Sequence, residues 1–472
     1  MFIYGDLAKS VILLVVATAV LSAPSQAQTF SDLYNFGTNS GDPIQPGSPG
    51  IIAQGRDGNL YSTTEFGGPN GWGTAFKITP EGTVTVLYGF DTDTYGLFPV
   101  GGLTLGTDGN LYGSTSNGPG SSGKGTVFKI TPGGKPTLLH VFGTDASRPF
   151  APPIQGTDGI FYGTTFGDKD IGDYGGVYKM TPSGNLTFLY RFDITHGAGP
   201  VNPLVQGRDG KFYGTTTSGG IYDKGTLFNI TPNGGFTVIH NFGKTKGYSS
   251  SPLVQGSDGY FYGQAHSGGT GEGRLGTIFR VTPTGKFTVL HNFNPLQNGD
   301  DGAYPDAGLV QATDGNLYGA ATGDEYGTIY RISPQGGFSV LYTFLNPSMG
   351  VAPQVTLLNH TNGTLYGDTY GGGNLSNCNF AGCGVFYSLD VGLGPFVSFV
   401  PVAGKVGKTI EFLGQGFNGT TAVSFNGTAA SFMIKSDTYL TAIVPTGATT
   451  GFVTVSTPGG VLTSNKQFRV EP

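Results

Sequence analysis

Short runs of apolar and β-branched residues recur along this chain, separated by glycine, asparagine, aspartate and proline. One full unit occupies Thr107–Phe142 (TDGNLYGSTSNGPGSSGKGTVFKITPGGKPTLLHVF). It contains an Asp-Gly turn, the run NLYGST, a glycine-rich loop, the run GTVFKIT, a Pro-Gly turn and a last run that ends in an aromatic residue. Runs of this kind, bounded by turn residues, predict β-strands.

Most of the chain repeats this unit at intervals of 48 to 56 residues. A further run, such as Pro203–Gln206, precedes the turn, so each unit predicts four strands. The turns begin at Asp57, Asp108, Asp158, Asp209, Asp258, Asp314 and Asn362, each followed four residues later by a tyrosine. A period of about fifty residues with several short strands is typical of a propeller or a solenoid. An Asp-Gly pair between two strands favours a type I′ turn.

The two ends of the repeat array distinguish these architectures. The seventh unit ends at Val385–Leu389 and lacks the last strand, whose clearest copy is Phe287–Phe293. A matching run stands at the other end of the chain, at Phe30–Phe36. Pairing between Phe30–Phe36 and the seventh unit would close a ring and remove exposed sheet edges. We therefore predict an all-β fold in which residues 29–390 form a seven-bladed β-propeller closed by its N-terminal strand.

The segments outside the repeats have different patterns. Residues 394–470 show alternating strands separated by Gly, Asn-Gly and Pro at short spacing, which predicts a small antiparallel sandwich. At the N-terminus, Lys9 precedes the apolar run Val11–Leu21, and small residues surround Ala27. This pattern predicts a secretory signal peptide over residues 1–27. No other run approaches the length of a membrane-spanning helix.

Composition agrees with a turn-rich, exported β-protein. The 472 residues include 84 glycines, and 12% are aromatic, which excludes a disordered chain. Only 11% are charged, the formal charge is −6, and no basic cluster appears, so we expect no nucleic-acid partner. We expect a monomer that is secreted or held at the cell surface, with the periplasm as the alternative location. In such a compartment Cys378 and Cys383 are expected to form a disulfide.

A propeller sorts its loops onto two faces. The nearly identical Asp-Gly and Pro-Gly turns share one, which we call the turn face. The loops between the second and third strands and those between repeats share the other, the variable-loop face, where binding is expected. Its aromatic residues are candidates for stacking on sugar rings or anchoring a protein partner. These are Trp72, Tyr95, Tyr174, Tyr222, Tyr248, Tyr304, Tyr326 and Tyr370.

The histidines offer one candidate for catalysis. His266 lies on a variable loop with Glu272 and Arg274, so a general base with an orienting carboxylate is one interpretation and a solvated loop is the simpler one. His360 stands beside the seventh turn, where we expect it to face solvent. Histidine at positions 140, 240 and 291 replaces tyrosine in other repeats, which indicates packing. No complete catalytic constellation is visible, and we predict no catalytic residues.

Two sets of polar residues need separate interpretations. Asp300, Asp301 and Asp306 lie in one long loop, where they could begin a Ca²⁺ shell or form a solvated turn. No other cofactor is expected. Glutamine recurs three residues before the turn and is expected to hydrogen-bond the adjacent blade rather than line the channel, because buried amides need partners. These residues are Gln54, Gln155, Gln206, Gln255 and Gln311.

The repeats resemble the GloVer tandem-repeat family of exported bacterial proteins, whose units read DGNLYGTT, GTVFKITP and FTVLYxF. The pattern is nearly literal at Asp108–Phe142 and Asp209–Phe242. The resemblance implies export and surface association and supplies no catalytic residues. The C-terminal segment resembles an IPT/TIG domain, which implies an immunoglobulin-like spacer or adhesion module. The matching residues are Pro401, Gly404, Gly407, Ile410–Phe417, Val423–Asn426, Ala442–Pro445 and Gly451–Val455.

Two functions follow from these observations. The first is non-enzymatic binding or adhesion outside the cell, with a glycan or a protein engaged on the variable-loop face. The alternative is a propeller lyase or hydrolase that acts on a polysaccharide or lactone, with His266 as the base and with or without a metal.

Overall fold

The computed structural model describes residues 28–47, 50–120, 123–143, 148–243, 245, 247–270, 272–294, 301–323, 326–378 and 382–472. This part of the chain is all-β, as predicted, and its helical content is three short 3₁₀ turns, Lys169–Ile171, Glu272–Arg274 and Pro347–Met349. The predicted signal peptide lies outside the described residues. No helix in the described ranges has the length and apolar character that crossing a membrane requires.

The repeats form seven antiparallel sheets in the described residues, numbered here in chain order. Sheet 1 contains Ala53–Gln54, Leu60–Thr64, Thr74–Ile78 and Val84–Gly89. Sheet 2 contains Thr104–Leu105, Leu111–Thr115, Thr126–Ile130 and Pro136–Val141. Sheet 3 contains Ile154–Gln155, Phe161–Thr165, Gly176–Met180 and Leu186–Arg191. Sheet 4 contains Val205–Gln206, Phe212–Thr215, Thr226–Ile230 and Phe236–Asn241.

The remaining three repeat sheets follow the same order. Sheet 5 contains Val254–Gln255, Phe261–Ser267, Thr277–Val281 and Phe287–Asn292, with Tyr248–Ser250 as an added strand. Sheet 6 contains Val310–Gln311, Leu317–Ala321, Thr328–Ile332 and Phe338–Thr343. Sheet 7 contains Leu358–Asn359, Leu365–Asp368, Val385–Asp390 and the N-terminal strand Thr29–Asn35. A short pair, Pro43–Ile44 with Phe66–Gly67, joins sheet 1 to the segment after that N-terminal strand.

The N-terminal strand completes the last sheet. Thr29–Asn35 pairs antiparallel with Val385–Asp390, with Phe30 opposite Leu389, so the predicted pairing is confirmed. Sheet 7 also lies against sheet 1, because Ile51 forms isolated bridges with Gly102 on one side and Thr356 on the other. The first and last repeats are therefore neighbours in space.

Each Asp-Gly turn also explains the tyrosine four residues later. In sheet 1 the Tyr61 hydroxyl donates to the Asp57 carboxylate at 2.8 Å, and the other five Asp-Gly repeats have the same bond at 2.6 to 2.9 Å. The predicted type I′ turn is wrong, because only the glycine has positive φ. The Gly58 N–H donates to the Gly55 carbonyl, so the turn is one residue longer, and only its last residue needs the left-handed conformation.

The recurrent glutamines join neighbouring sheets, as expected. Gln155 Oε1 accepts from the Thr107 N–H of the preceding repeat at 2.8 Å, and its Nε2 donates to the Gly159 carbonyl of its own turn at 2.9 Å. Gln206, Gln255 and Gln311 make the same pair of bonds. Gln54 makes the equivalent bond to Thr361 of the seventh repeat. These amides are therefore engaged within the protein.

The C-terminal segment forms two further sheets with a shared apolar core. One contains Ser398–Val400, Thr409–Leu413, Tyr439–Ile443 and Phe432–Ser436. The other contains Ala403–Lys405, Gly460–Glu471, Gly451–Thr457, Ala422–Phe425 and Thr428–Ala430. The rings of Phe399, Phe412, Phe425 and Phe468 meet between them.

These C-terminal sheets pack on the turn face. Arg56 forms two hydrogen bonds to the Glu411 carboxylate, at 2.6 and 3.0 Å, and its guanidinium lies over the Tyr439 ring. The Lys408 ammonium donates to the Thr157 carbonyl at 2.9 Å. His360 is fully buried here and bonds the Gly58 carbonyl at 2.9 Å, so the expectation that it faces solvent is wrong.

The predicted disulfide between Cys378 and Cys383 is confirmed. It lies in the loop that precedes the third strand of sheet 7, beside the segment that follows the N-terminal strand. Gly37 packs against both sulfur atoms so closely that a Cβ there would collide with Cys383 Sγ. The Asn377 side chain donates to the Gly37 carbonyl at 2.7 Å. The crosslinked loop therefore holds the chain just after its closing strand.

Candidate functional site

The loops between repeats share one unusual backbone feature on the variable-loop face. In six of them, one residue has a left-handed backbone, with φ between 51° and 65°. These residues are Gln45, Phe98, Arg148, Gly199, Tyr304 and Ala352. Each N–H donates to a carbonyl in the variable loop of the preceding repeat, and each carbonyl accepts from the residue four positions after the recurrent tyrosine of its own repeat. Five of the six carry a side chain, although such φ values favour glycine.

This backbone linkage defines three positions per repeat junction, which we call the junction site. At the junction of repeats 1 and 2, the Phe98 N–H donates to the Trp72 carbonyl at 3.1 Å, and the Ser116 N–H donates to the Phe98 carbonyl at 3.1 Å. The third position is the residue whose N–H donates to the carbonyl of the left-handed residue, such as Ser116 or Phe166. Its side chain can contact the next loop between repeats, as the Phe166 ring of repeat 3 contacts Gly199. Residues from two repeats therefore meet at a junction, as the Trp72 and Phe98 rings do at the junction of repeats 1 and 2.

Most of the predicted aromatic residues occupy these positions. Trp72, Tyr174 and Tyr326 supply the accepting carbonyl, Tyr304 is the left-handed residue, and Tyr370 takes the third position. His266 stands at the equivalent place in the sequence of repeat 5, four residues after Tyr262. Tyr248 aligns with Tyr304 in sequence and pairs with Ser267, but its side chain is outside the described part. Tyr95 and Tyr222 lie elsewhere: Tyr95 packs edge-on against Tyr88, and Tyr222 is 63% exposed.

Solvent exposure separates these rings further. Trp72 is 39% exposed and packs edge-on against Phe98, with ring centroids 5.6 Å apart. Tyr174, Tyr326 and Tyr370 are half-buried. Trp72 and Tyr222 are thus the aromatic candidates with open surface for stacking among the described side chains.

The junction of repeats 5 and 6 brings together three predicted residues: the candidate base His266, the candidate stacking ring Tyr304 and the candidate Ca²⁺ ligand Asp306. His266 Nδ1 lies 2.6 Å from Asp306 Oδ1, and the His266 ring stacks on Tyr304 with centroids 5.1 Å apart. Asp306 follows Tyr304 by two residues in the loop from repeat 5 to repeat 6. Among the described side chains, the carboxylate beside His266 is therefore that of Asp306. The side chain of Glu272, the carboxylate predicted for this role, lies outside the described part.

The carboxylate of Asp306 determines the charge of this cluster. Its hydrogen bond raises the pKa of the His266 imidazole above the usual value, although partial burial opposes the effect. Asp306 bonds Nδ1 of the imidazole and does not contact Nε2. Both side chains are partly exposed to solvent. An imidazole oriented by a carboxylate can exchange a proton with a bound molecule or donate a charge-assisted hydrogen bond to it.

The acidic residues of the same loop have separate partners. Asp301 is buried, and its carboxylate bonds His291 Nε2 at 2.8 Å and the Asn294 N–H at 3.1 Å. Asp300 lies outside the described residues. Within the described ranges, no three His, Cys, Asp or Glu side chains are grouped so that they could hold a metal ion.

The left-handed residues were not predicted, yet they have a sequence marker. A proline follows every one of them, as in Phe98-Pro99, Arg148-Pro149 and Tyr304-Pro305. A second omission is Glu65, which takes the third position in repeat 1. Burial raises the pKa of the Glu65 carboxyl, and that residue in turn contributes to the raised pKa of the Tyr370 hydroxyl.

Comparison with known proteins establishes the fold and the family. No curated protein matches the sequence. Streptogramin B lyase is similar over 78% of this chain and 99% of its own, with 15% identity and a TM-score of 0.51. A putative oxidoreductase (glucose dehydrogenase) from Thermus thermophilus covers 77% of this chain and 100% of its own, with 13% identity and a TM-score of 0.41. The likeness to the lyase shows a β-propeller fold and carries nothing about activity.

A larger solved protein covers more of the chain. PorZ, an essential bacterial surface component of the type-IX secretion system of Porphyromonas gingivalis, matches 90% of this chain and 60% of its own, with 14% identity and a TM-score of 0.48. The sequence pattern of the Gloeobacter/Verrucomicrobia repeat matches residues 18–172 and 152–381. These ranges include most of the chain and all of the repeat strands except Val385–Asp390, so this protein belongs to the Gloeobacter/Verrucomicrobia repeat family.

Proposed function

We propose that this chain is an exported, monomeric binding protein that engages a glycan or a protein on its variable-loop face. In this proposal residues 1–27 are a signal peptide, residues 29–390 a closed seven-bladed propeller, and residues 394–470 an immunoglobulin-like IPT/TIG sandwich. The pairing of Thr29–Asn35 with the last repeat supports the closed ring. The disulfide agrees with a location outside the cytoplasm.

The observation that carries the proposal is the difference between the two faces: one is covered by the C-terminal sheets, and the other carries the variable loops. The C-terminal sheets pack on the turn face through Arg56, Glu411 and Lys408. On the other face the junction site holds its backbone by hydrogen bonds, and a different residue type stands at its centre in each of the six junctions. A rigid main chain with diverse aromatic and charged side chains is suited to specific recognition, because little conformational entropy is lost on binding.

Glycan-array and pull-down screening tests the proposal. Wild-type protein is compared with two variants of the junction site. Trp72→Ala removes a solvent-exposed ring, and Tyr304→Ala removes a half-buried ring. We expect both substitutions to weaken the ligand signal. Phe452→Ala is the matched control, since Phe452 is 42% exposed on the C-terminal sheets and Trp72 is 39% exposed. Binding that survives both junction substitutions, or falls equally in the control, would refute the assignment of the face.

The His266–Asp306 pair favours a second candidate, the lyase or hydrolase with His266 as base. Screening against polysaccharides and lactones, with metal analysis of the purified protein, tests it. His196→Ala is the control, because His196 forms a similar pair with Asp193 at 2.8 Å but is more exposed. Turnover that His266→Ala abolishes and His196→Ala preserves would support the enzyme, and turnover unaffected by either change would exclude His266 as base.

A further inference from the structure

The packing of the C-terminal sheets on the turn face encloses a cavity of about 580 Å³. The first strands of sheets 3, 4 and 5 form one wall, and residues 399–402 with the last strand form the other. The cavity lies at the inner ends of the repeats, opposite the variable-loop face. Its volume is within the range of small-molecule sites, which is about 300 to 1,000 Å³.

The amides of the repeat wall are already used. Gln155, Gln206 and Gln255 each accept a backbone N–H from the preceding repeat and donate to a glycine carbonyl of their own turn. These bonds hold the wall in place and use one of the two N–H donors and one of the two acceptor positions of each amide. The charged groups of the lining are the other source of selectivity.

The charged groups of the lining are all positive. Arg208, Lys466 and Arg469 line the cavity, and no aspartate or glutamate does so among the described residues. The Arg469 guanidinium bonds the Glu471 carboxylate at 2.9 Å and the Arg208 carbonyl, so its charge is compensated. The Arg208 guanidinium donates to the Ser257 carbonyl at 3.1 Å. Neither Arg208 nor Lys466 forms an ion pair with a described carboxylate.

The Arg208 and Lys466 side chains are both exposed, so the two positive charges face the solvent that fills the cleft. The surrounding protein lowers the pKa of the Lys466 ammonium, and the positive charge of Arg208 lowers it further. Lys466 still keeps solvent contact, because it borders the cavity and is not packed in the core. The cleft therefore combines positive charge, open space and access for a solute.

We propose that this cleft is a binding site for a small organic anion, whose oxyanion group lies between Arg208 and Lys466. The apolar part of the ligand packs on Pro401 and Val402, which face the same cavity. Val402 is 45% exposed, so its side chain offers apolar surface for this contact. The ligand is thus a carboxylate, sulfate or phosphate ester with an apolar body, and its site is separate from the variable-loop face.

Isothermal titration calorimetry of the full chain with sodium benzoate tests the proposal. Benzamide, which has the same shape and no charge, is the comparison ligand. We expect benzoate to bind and benzamide to bind far more weakly. Because each charged partner supplies a charge-assisted hydrogen bond, Lys466→Gln and Arg208→Gln should each weaken benzoate binding by about tenfold or more.

Two controls keep the result interpretable. Lys435→Gln removes an exposed ammonium from the C-terminal sheets outside the cavity and should leave benzoate binding unchanged. Trp72→Ala should also leave it unchanged, which separates this site from the variable-loop face. Circular dichroism without ligand checks that the Lys466 and Arg208 variants are folded. Equal binding of benzoate and benzamide, or benzoate affinity unchanged in both folded variants, would overturn the proposal.

Acetate and inorganic sulfate separate the two parts of the site. Acetate shares the carboxylate of benzoate without the ring, so tighter binding of benzoate than of acetate supports the apolar wall. Equal affinities for benzoate and acetate would overturn the role of Pro401 and Val402. Sulfate that competes with benzoate supports a shared oxyanion position, whereas sulfate that binds without competing would overturn it.

Discussion

The side chain of Gln54 holds the backbone of Thr361, 307 residues later in the chain. Gln54 Oε1 accepts from the Thr361 N–H at 3.1 Å, and Gln54 Nε2 donates to the Thr361 hydroxyl at 2.7 Å. Both residues are buried. The amide that links successive repeats elsewhere thus also links the last repeat to the first.

Replacing Gln54 with leucine should destabilise the protein. The change leaves the buried Thr361 N–H without its acceptor, which costs about 1 to 3 kcal/mol. Urea unfolding followed by tryptophan fluorescence or circular dichroism measures the loss. Gln335→Leu is the matched control, because Gln335 lies exposed in a turn and should change little. Similar losses in both variants would contradict a special role for Gln54.

The disulfide should protect the closing strand. Its loop holds Gly37, two residues after the strand Thr29–Asn35. For a loop this short the entropic contribution to the free energy of unfolding is about 2 kcal/mol. In a Cys378→Ser/Cys383→Ser variant we expect lower stability and faster amide hydrogen exchange in Thr29–Asn35 than in the equivalent strand Phe236–Asn241. Equal acceleration in both strands would show that the loop has no local effect on closure.

Asp368 should make the protein less stable as pH rises. Its carboxyl group is fully buried and has no hydrogen-bond partner among the residues that the structure describes, and burial raises its pKa well above the usual value. The folded state therefore binds a proton that the unfolded state releases, so stability falls as pH rises above about 4 until the folded-state pKa is reached. Asp368→Asn should remove this fall and gain at least about 1 kcal/mol at pH 8, with little gain at pH 4.

Chemical denaturation between pH 4 and 8 checks the Asp368 prediction. Asp170→Asn, at an exposed turn position, is the control and should follow the wild-type profile. A wild-type profile that is flat over this range, or an Asp368→Asn variant that parallels it, would show that the carboxyl group is not neutral in the folded protein.

His266 should stay protonated to higher pH than an ordinary histidine. The hydrogen bond to Asp306 raises the pKa of its imidazole, so the pair stabilises the fold fully below about pH 6.5 and loses this contribution as pH rises through the raised value. Because both groups are partly exposed, the effect on stability is less than about 1 kcal/mol. NMR titration of the imidazole protons measures the pKa directly. Asp306→Asn should lower it, and an unchanged midpoint would show that Asp306 does not control His266.

Much of the fold follows from local sequence patterns. The Asp-Gly turns, their tyrosines, the recurrent glutamines and the strand Phe30–Phe36 each repeat at fixed positions, so one unit explains the others. The predicted type I′ turn was wrong because the Asp-Gly pair alone does not show how many residues the turn contains. The expectation that His360 faces solvent was wrong because its partner, the Gly58 carbonyl, belongs to the first repeat, 302 residues earlier in the chain.

The candidate site was predictable in its residues but not in its contacts. Trp72, His266, Tyr304 and Asp306 all stood out as polar or aromatic residues in variable loops. Their grouping depends on the loop between repeats, which brings Asp306 to a histidine 40 residues earlier. Sequence proximity suggested Glu272 instead. The left-handed residues before proline were missed because five of the six carry a side chain, and left-handed backbone is usually inferred from glycine.

The left-handed linkage has a consequence for how such proteins diversify. Main-chain hydrogen bonds link the chain at each of the six junctions, and the residues at their centres are glutamine, phenylalanine, arginine, glycine, tyrosine and alanine. Mutations of these six residues can change the side chain that is presented while the backbone conformation is retained. A lineage can therefore acquire new targets through single substitutions, without first evolving a new scaffold.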